Sequence, residues 1–114
     1  MPHYLLSLAN EELIANYLLL KTIPDVDHYL FVQPRGWDPA PVDRVCSLCG
    51  IAAPLRLEVE EFCLADIERV LESWLSEREQ DASFTVNLTG GRRLMALAVA
   101  DIFRRANSRV LYLP

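Results

Sequence analysis

The stretch Asn87-Leu88-Thr89-Gly90-Gly91-Arg92-Arg93 joins an apolar run to a helical pattern and places two cations where the helix begins. A helix N-terminus exposes unpaired backbone N–H groups and carries partial positive charge, so each arginine there is unfavourable by roughly 0.3–1 kcal/mol. The penalty disappears when an anion occupies the turn. Glycine lets the anion come close to the backbone, and the N–H groups and guanidinium forks then bind it together. Phosphate fits that cradle. The competing reading is a plain strand-to-helix turn with both arginines in solvent, and a bare Thr-Gly-Gly sequence does not separate the two.

The elements that must hold this turn follow from hydrophobic period. Tyr4-Leu5-Leu6, ending at Ser7, reads as a buried strand. Asn10 is a good N-cap for a helix with Leu13, Ile14, Tyr17 and Leu18 at helical spacing. Pro24 and Asp25 stop it, and Tyr29-Leu30-Phe31-Val32 reads as a second buried strand. Gln33 to Val42, with Pro34, Gly36, Pro39 and Pro41 around Arg35 and Trp37, reads as a long aromatic loop. Leu55, Leu57 and Val59 alternate with charged residues, as in an edge strand with one wet face. Cys63 to Leu75 is an amphipathic helix, Phe84 to Leu88 a strand, Leu94 to Ala106 a helix and Val110 to Leu113 the last strand.

Strand alternating with helix implies parallel pairing through crossovers. The expected fold is α/β, a Rossmann-like doubly wound, mainly parallel five-stranded sheet with helices on both faces, forming a single domain over 1–114. Ligands of such sheets sit at the carboxyl ends of the strands, near the switch in strand order. Two turns qualify, Ser7 to Asn10 and Asn87 to Arg93. Glu11 and Glu12 already neutralise the first helix's N-terminus, so the phosphate is placed at the second turn.

Composition limits the function classes. A chain of 114 residues, 52% hydrophobic, is long enough to bury roughly two-thirds of its unfolded surface in one core, which excludes disorder. Tyr4 to Leu20 lacks a basic flank and carries two glutamates, so it reads as neither signal peptide nor membrane span, and a cytoplasmic location is expected. Three cysteines, an odd number, point to a reducing compartment. The net charge of −5 argues against broad binding of long nucleic acid. Its distribution is uneven. Residues 84–114 carry Arg92, Arg93, Arg104, Arg105 and Arg109 against Asp101 alone, a balance of +4 that leaves −9 for the rest. Cys46 and Cys49 have metal-ligand spacing, but only Cys63, His3 and His28 could complete a set, so no metal is assigned and both are read as structural. No motif supports a catalytic Cys–His pair. His28 reads as a satisfied strand-edge histidine, and the glutamates of 58 to 61 and 68 to 79 as solvated faces.

Asn87-Leu88-Thr89-Gly90-Gly91, two further residues and then an apolar helix resemble the Asn-Leu-Thr-Gly-Gly-Thr-Lys signature of the CARF domains of type III CRISPR systems, which sense cyclic oligoadenylate. The likeness extends to the first strand ending in Ser7, the following helix and the strand order, while residues 33–53 match nothing. Arg92-Arg93 stands where the family usually has Thr-Lys. The resemblance implies a cytoplasmic homodimer with a cyclic oligoadenylate, most often the tetramer, across its two-fold axis. It also implies phosphate and ribose contacts from Thr89, Gly90, Gly91 and Arg93, a polar role for Ser7, and a ligand-binding set that takes in Leu8, Asn10 and Asn87. Arg92 has no direct precedent. Independently of the family, Arg35 and Trp37 suit stacking on an adenine, against the plainer reading of a Trp packed under its own loop.

Because the chain stops one residue after its expected last strand, no nuclease module is expected. Two readings follow. One is a stand-alone ring nuclease, in which Ser7, Arg92 and Arg93 hold the ligand for attack by its own 2′-hydroxyl, without metal or cofactor, giving linear adenylates with a 2′,3′-cyclic phosphate. The other is a non-catalytic sensor whose effector is encoded elsewhere. An interaction domain that only dimerises or docks a partner is a third class.

Overall fold

The computed structural model describes residues 2–8, 13–51, 54–88, 93–104 and 108–111. Strands and helices alternate throughout: β1 (His3–Leu8), α1 (Leu13–Thr22), β2 (His28–Pro34), α2 (Ala40–Cys49), β3 (Leu55–Val59), α3 (Leu64–Ser76), β4 (Ser83–Asn87), α4 (Arg93–Phe103) and β5 (Ser108–Leu111). The strands lie in the order β3-β2-β1-β4-β5, and every neighbouring pair is parallel. The α/β class and the parallel sheet expected from the alternation are therefore present.

Strands β1 and β2 read as unbroken apolar runs because both faces of the sheet are covered. On one face Tyr4, Leu6, Leu8, Leu30, Val32, Phe84 and Val86 pack against Ile67, Leu71 and Trp74 of α3 and Met95, Val99, Ile102 and Phe103 of α4. On the other, Leu5 and Phe31 meet Leu20 of α1 and Val42, Val45 and Cys46 of α2. Burying each of these large side chains is worth roughly 1.5–3 kcal/mol, which sets the layers. β3 is the edge strand, with Leu55 and Glu58 exposed and Val59 alone fully buried.

The span read as a loop from Gln33 to Val42 is corrected at both ends. Gln33 and Pro34 complete β2, paired with Glu58 and Val59 of β3, and Ala40 already begins α2. The prolines misled because Pro is at home in the first turn of a helix, where its missing N–H costs nothing. The helical spacing of Val42, Val45 and Cys46 was the countersignal. Gly50 ends α2 in the left-handed conformation at φ 74°, and the Ile51 N–H closes the cap on the Cys46 carbonyl at 2.8 Å.

Aromatic packing concentrates at the amino end of the sheet. Tyr4 and Phe84, direct register partners, stack with centroids 5.6 Å apart, and Trp74 meets Tyr4 edge-on at 5.4 Å. The Arg78 guanidinium lies 4.6 Å above the Trp74 ring, and the Tyr4 hydroxyl donates to Glu79 at 3.0 Å. Burial, with Glu79 beside it, pushes the Tyr4 phenol above its ordinary range, so it stays a donor at neutral pH. These contacts secure the end of the sheet opposite the strands' carboxyl termini, where polar side chains collect.

Candidate functional site

The strand order turns at β1: β2 and β3 extend to one side of it, β4 and β5 to the other. The carboxyl ends of β1 and β4 therefore meet at the switch point, the usual ligand position of a doubly wound sheet. Ser7 and Asn87 are register partners there. The Asn87 Nδ2 donates to the Ser7 Oγ at 3.4 Å, and the two residues are 1% and 0% exposed. Buried polar side chains need such partners, since an unpaired one costs about 1–3 kcal/mol. Gln33, two residues beyond Phe31 and on the same face of β2, is also buried, and its Oε1 has no hydrogen-bond partner among the described residues.

A second group stands on the rim beyond β2 and β3. The backbone N–H of Arg35 donates to the Val59 carbonyl at 2.9 Å, tying the loop after β2 to the end of β3. The Arg35 guanidinium reaches Glu60 at 2.8 Å and Asp66 at 3.9 Å. Asp66, in the first turn of α3, accepts the Glu60 N–H at 2.9 Å and pairs with Arg69 at 2.7 Å. The Glu60 N–H bond, reinforced by Arg69, holds the Asp66 carboxyl below the usual aspartate range. Phe62 rides on this braced turn and is 85% exposed, the most exposed large apolar side chain among the described residues.

The residues singled out in the sequence fall into three groups. Ser7 and Asn87 come together at the switch point. Arg93 is the first residue of α4 and is exposed. Leu8 is fully buried, its side chain in the core under α3 and α4, which leaves only its backbone to meet a ligand. Trp37 packs, half-buried, against the core beneath α2, and Arg35 is engaged with Glu60. Asn10, Thr89, Gly90, Gly91 and Arg92 lie outside the described residues. Burial pushes the Cys46 and Cys49 thiols upward, away from the thiolate form a metal requires. Among the described residues no group of three or more His, Cys, Asp or Glu side chains converges. Sequence reasoning missed Phe62, which stands in no periodic pattern, and Gln33, assigned to a loop.

The model of the Card1 CARF domain matches residues 5–114. The chain belongs to the Card1 CARF family. The match spans both strand ends at the switch point and the Asn87–Arg93 turn. Among solved structures, Can2 from Sulfobacillus thermosulfidooxidans in complex with cyclic tetra-adenylate superposes with a TM-score of 0.79 at 20% identity. That likeness covers 97% of this CARF chain and 32% of the Can2 chain, so this chain spans about a third of the protein it resembles. At such identity the likeness establishes a common fold. No curated protein sequence matches this CARF chain.

Proposed function

We propose that this CARF domain binds a cyclic oligoadenylate, with the tetramer favoured, across a homodimer and cleaves it as a ring nuclease that tunes type III CRISPR signalling. The observation that carries the reading is that Asn87, the first residue of the motif, ends β4 beside Ser7 of β1 at the switch in strand order. Family membership and the cyclic tetra-adenylate held by Can2 support the choice of ligand.

In this reading the glycines admit a phosphate, Arg92 and Arg93 neutralise it, and Ser7 orients the adjacent ribose. The 2′-oxygen then forms a bond to phosphorus as the bond from phosphorus to the 5′-oxygen breaks. The 2′-hydroxyl proton passes to solvent, and the departing 5′-oxygen takes up a proton. Held in line, with the developing charge stabilised by two cations, the ring supplies its own nucleophile. No step draws on a metal.

A second reading, binding without cleavage, is favoured by one observation. Ser7 is 1% exposed and its hydroxyl is engaged with Asn87, as befits a structural pair. Incubation with labelled cyclic tetra-adenylate followed by chromatography separates the two. Cleavage predicts linear products ending in a 2′,3′-cyclic phosphate, undiminished by excess chelator. Intact ring after long incubation with saturating protein establishes the sensor reading instead, and loss of cleavage on chelation overturns the metal-independent mechanism.

A further inference from the structure

We infer that Phe62 is a stacking platform for one purine base of the cyclic oligonucleotide, and that Arg35 braces the turn that carries it; this rests on the reading that the domain binds such a ring. Among the described residues no other large apolar side chain stands as far out of the core. Flexibility does not account for it. The turn that carries Phe62 is tied at both sides: the Cys63 N–H donates to the Glu60 carbonyl at 3.0 Å, and the Glu60 N–H donates to Asp66 at 2.9 Å. Arg35 crosses from the loop after β2 to Glu60, joining two strand ends into one rim. A backbone fixed in this way presents the ring without first having to be ordered, which is where affinity is gained.

The place of the rim selects the partner. Phe62 follows β3 at the carboxyl end of the sheet, the same end as Ser7 and Asn87. β3 lies two strands from β1, about 10 Å across the sheet. With phosphates seated over β1 and β4, a base splayed outward from the ring lies toward that rim. Unpaired bases are characteristically recognised by stacking on aromatic side chains. The arginine expected to stack is instead committed to Glu60 and Asp66, and the tryptophan to the core beneath α2, so Phe62 takes over the role the sequence suggested for both.

Titration with cyclic tetra-adenylate tests this, because a residue 85% exposed can be replaced without disturbing the core. Phe62→Ala weakens binding by about tenfold or more with the melting temperature unchanged, the usual effect of removing one stacked base contact. Phe62→Trp retains the wild-type affinity, and its added fluorescence is quenched as the ring binds. Wild-type affinity in Phe62→Ala, or emission from Phe62→Trp that ignores the ligand, overturns the assignment. So does a Phe62→Ala chain that binds normally but changes its oligomeric state, which makes the ring a protein contact. If wild-type protein binds no cyclic tetra-adenylate at all, the functional reading itself fails and the platform falls with it.

Discussion

At the scale of single residues, the site divides into side chains that can meet an anion and side chains that hold the frame. Arg93, exposed at the first position of α4, belongs to the first kind. A cation there is paired against the helix's own partial charge, so it gains most when a phosphate arrives. Arg93→Ala is expected to weaken cyclic tetra-adenylate binding by roughly 1.5–3 kcal/mol, the range for a hydrogen bond to a charged group, while leaving the melting temperature nearly unchanged. Calorimetric titration of the variant checks this, and unchanged affinity removes the phosphate assignment. Ser7 and Asn87 belong to the second kind as well as to the site. Their types and positions were readable in the sequence, as polar residues closing two apolar runs. Their mutual bond was not, because nothing in the chain order says that strands some eighty residues apart (|i−j| = 80) become register partners.

The elements were legible where a period persisted. β1, β2 and β4, with α1, α3 and α4, each carry enough apolar residues to fix their type, and the parallel sheet follows from their alternation. α2 escaped because three prolines and a glycine cluster around its start and outweighed a short helical stripe. The short loop left between β2 and α2 carries Arg35, which meets Glu60 and Asp66 beyond β3. Its electrostatics make a prediction about pH. The Asp66 pKa in the folded chain lies below its ordinary value of 3.8, so the interaction contributes stability above that value and loses it as pH falls from there through the lowered folded value. Asp66→Asn is therefore expected to melt at a lower temperature than wild type near neutral pH and to show a shallower decline between neutral pH and strong acid. Thermal melts of both proteins across that range decide it. Parallel curves at every pH mean that Asp66 contributes nothing through its charge.

For the whole molecule, one gradient runs along the sheet. The amino end is closed by Tyr4, Trp74, Phe84 and Phe103, whereas the carboxyl end carries Ser7, Asn87, Gln33, Arg35 and the exposed Phe62. Charge is uneven along the chain, with a surplus of +4 in residues 84–114 of an acidic protein. An acidic protein with one basic segment suits a small anionic ligand better than long nucleic acid. Every ligand prediction above depends on the proposed binding of cyclic oligoadenylate by this CARF domain at the β1–β4 switch point. Isothermal titration of the purified protein with cyclic tetra-adenylate tests it most directly. Saturable binding of one ring per two chains is expected, with the affinity lost on combining Arg92→Ala and Arg93→Ala; no heat of binding from cyclic rings of any size, or full affinity in that double variant, overturns the proposal.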